Sequence, residues 1–237
     1  MIGISLNVMK TRGEHSFSKL PVFGARLYDW LLFKEPIYDG LREIAHDLVL
    51  ETAGGNLLDI GTGPGRLLKE INLLNPYLEL YGLDISASMI QLARKNLQDI
   101  PVNLLSGTIR HTKYENDFFN TITCTGSFYL WDYPEESLEE IYRILKRGHS
   151  AYLYEVYKDI RENEYQLALK KNLRQLDWIC RILGPLALRK LLNLSYQTED
   201  FSRIIEKTSF AESYTIEKIS ISGLPMWVRI TLNKNPI

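Results

Sequence analysis

Three glycines and two carboxylates carry the most chemistry in this chain. The segment Leu57-Leu58-Asp59-Ile60-Gly61-Thr62-Gly63-Pro64-Gly65 runs from an apolar strand into a glycine-rich turn, and Leu67-Leu68 begin an apolar helix after it. A second apolar run, Leu78 to Leu83, ends in Asp84. Glycine lets a backbone approach a ligand closely. The start of the helix offers N–H groups that have no partner inside it. A carboxylate closing the neighbouring strand can accept two hydrogen bonds from a ribose diol. The layout is that of a nucleotide cradle. A carboxylate ending an apolar strand also needs polar partners, and a ribose supplies them.

Alternating strands and helices must hold these residues in place. The spacing predicts a helix over 36–51, opened by Pro36 and stopped by Gly54-Gly55, with Ile37, Leu41, Ile44, Ala45 and Leu48 on one face. The first strand is expected over 56–61, and the helix after the turn ends before Pro76. Ser86 is a plausible N-cap for a helix that turns Met89, Ile90, Ala93 and Leu97 inward. Val102 to Leu105 reads as a third strand and about 118–125 as a fourth. Pro134 opens the next helix, four glutamates favour its positive end, and Lys146, Arg147 and Gly148 favour its stop. A fifth strand follows over 151–156. Strands in such alternation imply a parallel sheet covered by helices.

The last third departs from the alternation. Residues 160–183 are expected to be helical, Gly184-Pro185 to break the run, and a short helix to follow. Thr198 is expected to cap a helix carrying Phe201, Ile204 and Ile205. Two β-rich runs, 214–222 and 226–233, flank Gly223-Leu224-Pro225 and read as a hairpin.

A dinucleotide site requires G-x-G-x-x-G, with a small third residue where helix and strand pack closely. Position 66 is Arg, so that spacing fails. Asp59-Ile60-Gly61-Thr62-Gly63-Pro64-Gly65 together with Gly82-Leu83-Asp84-Ile85-Ser86 instead resembles the class I S-adenosylmethionine-dependent methyltransferases. The resemblance covers roughly 50–157 and 198–233. It implies a Rossmann-like α/β fold: a seven-stranded, mostly parallel sheet with a C-terminal antiparallel hairpin, helices on both faces and a helical insertion after strand five. It implies one domain over 1–237, with an N-terminal helical lid over 1–50, a cofactor-binding core over 51–157, the insertion over 158–197, and a last helix and hairpin over 198–237.

The resemblance also implies a site. Asp59 would reach the cofactor ammonium, directly or through water. Gly61, Thr62, Gly63 and Gly65 form the loop around the methionine part, Asp84 takes both ribose hydroxyls, and Ile85 and Met89 flank the adenine. Packing in the core explains Met89 equally well. Where the family often has Gly-Asp after strand three, this chain has Gly107-Thr108, which leaves Thr108 and the backbone of Ile109 to meet the adenine. Phe119-Asn120 replaces a common Phe-Asp, and Lys146-Arg147-Gly148-His149 replaces a common Lys-Pro-Gly-Gly, so His149 reads as a turn residue. Thr125, Gly126 and Ser127 end strand four, on the side where ligands of open α/β sheets bind. Tyr28-Asp29 resembles the Tyr-Asp that precedes the core in small-molecule methyltransferases, where the tyrosine closes over the cofactor; a helix packing on the core accounts for it nearly as well.

The expected reaction is methyl transfer from S-adenosylmethionine to a small-molecule acceptor by in-line displacement. Alignment is its main catalytic contribution, and a general base is needed only for a protonated acceptor. Glu155, Tyr157 and Tyr129 are the candidates for that base. The aromatic stretch 128–133 suits a flat or cationic acceptor through stacking, or packs under the helix at 134. In the insertion, Lys170, Lys171, Arg174, Arg181, Arg189 and Lys190 interleave with an apolar stripe. That pattern fits a solvated helix with a buried side, and also a membrane-surface contact with a lipid-like acceptor. A non-catalytic S-adenosylmethionine-binding module, and more remotely an NAD(P)-dependent oxidoreductase, are the competing readings.

Bulk properties narrow the field. The chain has 237 residues, 45% hydrophobic and 24% charged, with a formal net charge of −1. That balance gives no reason to expect a nucleic-acid partner. Cys124 and Cys180 form neither a disulfide framework nor a metal-ligand spacing, so no metal is expected. No apolar run reaches the roughly 18 residues of a membrane span, and without a signal-peptide pattern the cytoplasm is the expected compartment.

Overall fold

The computed structural model describes residues 37–173 and 178–236. Side chains within 171–184 are outside that description, as are Tyr28 and the rest of the segment before residue 37. Helix α1 spans Ile37–Glu51, β1 Asn56–Ile60, α2 Arg66–Leu74, β2 Glu79–Asp84, α3 Ala87–Asn96, β3 Val102–Ser106 and β4 Phe119–Thr125. After a single 3-10 turn at Phe128–Leu130 come α4 Pro134–Ile144, β5 Leu145–Val156, α5 Glu162–Leu173, α6 Trp178–Leu194, α7 Thr198–Ile205, β6 Tyr214–Ile221 and β7 Leu224–Lys234.

The strands form one seven-stranded sheet in the order β3-β2-β1-β4-β5-β7-β6. The first five in that order are parallel neighbours. β7 enters antiparallel beside β5, and β6 returns antiparallel along the rim. The direction of winding reverses between β1 and β4, so their carboxyl ends diverge into a crevice where ligands of such sheets bind. Among the described residues β3 and β6 are the edge strands.

Alternation along the strands splits the core. Leu57, Leu80, Tyr152 and Tyr154 point to the face covered by Ile44 and Leu48 of α1, Leu67, Leu68 and Ile71 of α2, and Ala93 of α3. Leu58, Ile60, Ile122, Cys124 and Leu153 point to the opposite face, under Leu138 and Ile141 of α4 and Phe201 and Ile205 of α7. A satellite cluster of Val156, Tyr165, Leu192 and Met226 seats α5 and α6 at the end of the β5–β7 pair.

The structure revises three local expectations. α4 ends at Ile144, not at Gly148, and β5 begins at once. The cause is a pairing that jumps: Phe119 opposes Leu145, but Thr121 opposes Ser150, so 146–149 leave the β4–β5 ladder, while His149 still pairs with Lys234 of β7. Gly148 serves that excursion with φ of 73°. Second, Gly184-Pro185 does not break the insertion helix; Pro185 lies inside α6. Its cost is offset where Leu188, Leu191 and Leu192 beyond it pack into the satellite cluster. Third, β7 starts at Leu224, and Ile221 pairs with Leu224. The loop is only Ser222-Gly223, at φ 49° and 71°, the two positive angles of a type I′ turn that matches strand twist.

Candidate functional site

The turn after β1 is built by hydrogen bonds to the neighbouring strand. Gly61 N–H and Thr62 N–H both donate to the Leu83 carbonyl, at 2.7 and 3.1 Å. Gly65 N–H donates back to Thr62 at 2.9 Å. Gly61, Gly63 and Gly65 have φ of 71°, 52° and 78°, angles that favour glycine strongly. Gly65 fills a further role: a Cβ there would lie 2.6 Å from a Leu97 methyl and 3.4 Å from Ala93. It is the small residue at which α2 and α3 close on one another, one position earlier than a dinucleotide motif would put it.

Asp84 ties β2 to this turn. One carboxylate oxygen accepts from Gly63 N–H and the other from Ser86 N–H, each at 2.8 Å. Among the described residues each oxygen keeps a lone pair free, because a carboxylate offers about four acceptor sites. Burial pushes the carboxyl above its ordinary range and the two N–H bonds pull it back. Ser86 caps α3 by accepting from Met89 N–H at 3.4 Å. Met89 itself is 3% exposed, and Ile85 is half-buried beside Asp84.

Asp59 is buried near the end of β1. Burial, with a further push from the charge of Asp84, raises its carboxyl to about 7, against the pull of the Thr62 hydroxyl. On the other side of the crevice, Gly126 N–H donates to the Tyr154 carbonyl at 2.9 Å. Gly126 has φ of 62°, and a Cβ there would meet none of the described residues within 4 Å. Ser127 Oγ reaches back to the Ile60 carbonyl at 3.3 Å. It also lies 3.0 Å from Cys124 Sγ. Thr125 Oγ1 and Glu155 Oε2 are buried without a hydrogen-bond partner among the described residues. Both sit near the carboxyl ends of their strands, β4 and β5.

Among the other candidates, Thr108 is half-buried, and its hydroxyl accepts from Arg110 N–H at 3.3 Å. The side chain of Ile109 belongs to the core, which leaves only its backbone to face a ligand. Tyr157 donates its hydroxyl to the Pro225 carbonyl at 2.9 Å, and the Lys218 ammonium lies over its ring. Tyr129 is buried within the 3-10 turn. Of the aromatic stretch, Phe128 and Trp131 pack inward at 4.8 Å from each other. Phe128 also meets Tyr196 and Phe201. Phe128 and Trp131 therefore hold the turn on the core. Asn120 and His149 meet at 3.1 Å at the opposite end of the sheet. Among the described residues no cluster of His, Cys, Asp and Glu could hold a metal ion, and no helix is long and apolar enough to cross a membrane.

Two features escaped sequence reasoning. The grip of Glu155 on the 127–128 backbone spans distant parts of the chain and left no local signal. The near-contact of Ser127 with Gly61 is also non-local; a glycine directly after an apolar strand was its only trace.

Comparison with known proteins agrees with this geometry. Residues 58–153 match the family model described as a methyltransferase domain. An uncharacterized methyltransferase of Bacillus subtilis is 27% identical over 100 residues, 42% of this chain and 55% of that protein. The demethylmenaquinone methyltransferase of Thermotoga maritima is 31% identical over 101 residues, 43% of each chain. The chain thus spans about half the length of these curated relatives. A crystal structure from Methanococcus maripaludis, described as an S-adenosyl-L-methionine-dependent methyltransferase, superposes with a TM-score of 0.70 at 23% identity, over 92% of this chain and 95% of that one. Residues 58–153 are thus similar to a methyltransferase domain, and the turn, the strand-two carboxylate and the inserted antiparallel strand belong to a chain that shares the fold of these methyltransferase structures.

Proposed function

We propose that the protein transfers the methyl group of S-adenosylmethionine to a small-molecule acceptor. The observation that carries this reading is the Asp84 carboxylate, which holds the glycine turn with one oxygen, caps its own loop with the other, and keeps a free acceptor site on each. The chain's residues fit an adenosyl amino acid. Asp84 offers a ribose its two free lone pairs. Asp59 offers an ammonium a buried carboxylate. Thr125, whose hydroxyl has no partner among the described residues, and Gly126 lie at the carboxyl end of β4, which borders the same crevice. The name of the Thermotoga relative supports a small-molecule acceptor.

When bound, the cofactor would supply an electrophilic methyl on a sulfonium, whose sulfur is the leaving group of an in-line displacement. The residues of the chain bind, orient and exclude water. Placing donor and acceptor in line is worth up to roughly 7–11 kcal/mol. In this reading Gly61–Gly65 and Asp59 fix the amino-acid end, Asp84 the ribose, and Ile85, Met89, Thr108 and the Ile109 backbone the adenine. Thr125, Gly126 and Ser127 border the methyl. In this reading Tyr157, whose hydroxyl is donated to the Pro225 carbonyl, serves the structure of the β5–β7 end, and Tyr129 and Glu155 remain the candidate bases for a protonated acceptor.

Calorimetry tests the reading. S-adenosylmethionine and S-adenosylhomocysteine should bind, NAD and NADP should not, and Asp84→Ala should weaken the adenosyl ligands at least tenfold. Dinucleotide binding without adenosyl binding would overturn it. Phenolic, quinoid and amine acceptors are the first classes to screen for turnover.

A further inference from the structure

Glu155 is fully buried near the end of β5. Its Oε1 accepts from two successive backbone donors, Ser127 N–H and Phe128 N–H, each at 2.9 Å. It also lies 3.5 Å from Cys124 Sγ. Together with the Gly126 bond to Tyr154, β5 thereby takes the N–H groups of three consecutive residues at the exit of β4. Nothing in the local sequence of 126–128 supplies these acceptors. The same turn leans on the cofactor loop: a Cβ on Gly61 would lie 2.3 Å from Ser127 Oγ. A buried carboxyl is costly unless its bonds repay the desolvation. Its second oxygen has no partner among the described residues, so the bonds of the carboxyl are concentrated on this turn. A glutamine or an apolar residue would desolvate at lower cost.

We propose that Glu155 is a positioning residue for the cofactor: by clamping the Ser127 and Phe128 amides, it sets the Gly126–Phe128 turn against the Gly61 loop and so shapes the methionine end of the crevice. The proposal rests on the methyltransferase reading and adds a determinant outside the glycine turn and the Asp84 carboxylate. In this role Glu155 acts through backbone that it holds.

Three variants test it, with S-adenosylhomocysteine as the probe. Glu155→Gln keeps an acceptor oxygen of the same reach and should bind the probe within threefold of the parent. Glu155→Ala removes the clamp and should weaken binding at least tenfold. Hydrogen exchange in the 126–129 segment should speed by a similar factor while β1 and β2 stay protected. Glu155→Asp, which retracts the carboxylate, serves if the alanine variant does not fold, and should lie between the other two. A purely structural role would lower the melting temperature of Ala and Asp without this split in affinity. Unchanged affinity in Glu155→Ala and Glu155→Asp, or equal loss in Glu155→Gln, would sink the proposal. Failure of the parent protein to bind the probe would instead overturn the cofactor reading itself.

Discussion

Replacing Gly61 by alanine tests the geometry of the crevice most directly. The added Cβ would sit 2.3 Å from Ser127 Oγ and 2.6 Å from Ser127 Cβ. Ordinary carbon contact requires the Ser127 Cβ to retreat by about 1 Å. It cannot do so freely, because its own N–H and that of Phe128 are held by Glu155. Overpacking of this kind costs roughly 1–3 kcal/mol. The φ of 71° at Gly61 adds roughly 1–2 kcal/mol for any residue with a Cβ. The sum, about 3 kcal/mol, would lower the urea midpoint by about 1 M at a slope of about 3 kcal/mol/M. Only the clash should be relieved by a second change, Ser127→Gly, so the double variant should recover about 1–2 kcal/mol relative to the sum of the singles. Urea titration of the four proteins measures this coupling. A loss below about 1 kcal/mol for Gly61→Ala, or additive singles, would refute the claim that these two segments touch.

Two further outcomes follow from the buried groups. Asp59 and Glu155 are both raised to about 7 by burial, against unfolded values near about 4. The folded protein therefore holds these protons more tightly, and their contribution to stability is full below about pH 4 and lost as pH rises through about 7. Melting of the ligand-free protein at pH 5.5 and pH 8, compared with the Asp59→Asn/Glu155→Gln variant, should show the parent losing more on alkalinisation; an identical pH response would contradict the assignment. Phe128→Ala should cost about 3–5 kcal/mol in denaturant titration, because the ring is core packing against Trp131 and Phe201; near-native stability would restore the ring to the acceptor pocket.

Much of this fold could be read from periodicity because its signals are local. β1, β2, β4, α3 and α4 each carry an apolar stripe bounded by a cap, a proline or a glycine, and each falls within a few residues of its expected span. The errors arose where distant pairing overrode a local stop. Gly148 reads as a helix terminator, yet the Phe119–Leu145 pairing begins β5 three residues before it. Gly184-Pro185 reads as a break, yet packing against Tyr165 and Met226 carries α6 through it. In the site, the residues of the turn and Asp84 were legible from type and spacing. The function of Glu155 was not, since its partners lie 27 and 28 positions away in the chain. Phe128 could be resolved only by tertiary contacts, because an aromatic residue suits a stacking pocket and a core equally.

The two rims of the sheet bear on how the molecule behaves among its own copies. An unpaired strand edge is a template for association and fibre growth. Here β3 is only five residues long and follows Pro101, which has no N–H to offer. On the other rim, Glu217 of β6 is engaged by Arg229, and Lys218 by Asp159. A strand docking from outside would meet fixed charge on one side and too short a ladder on the other. Brevity at one rim and ionic side chains at the other thus guard a mostly parallel sheet against self-propagating stacking.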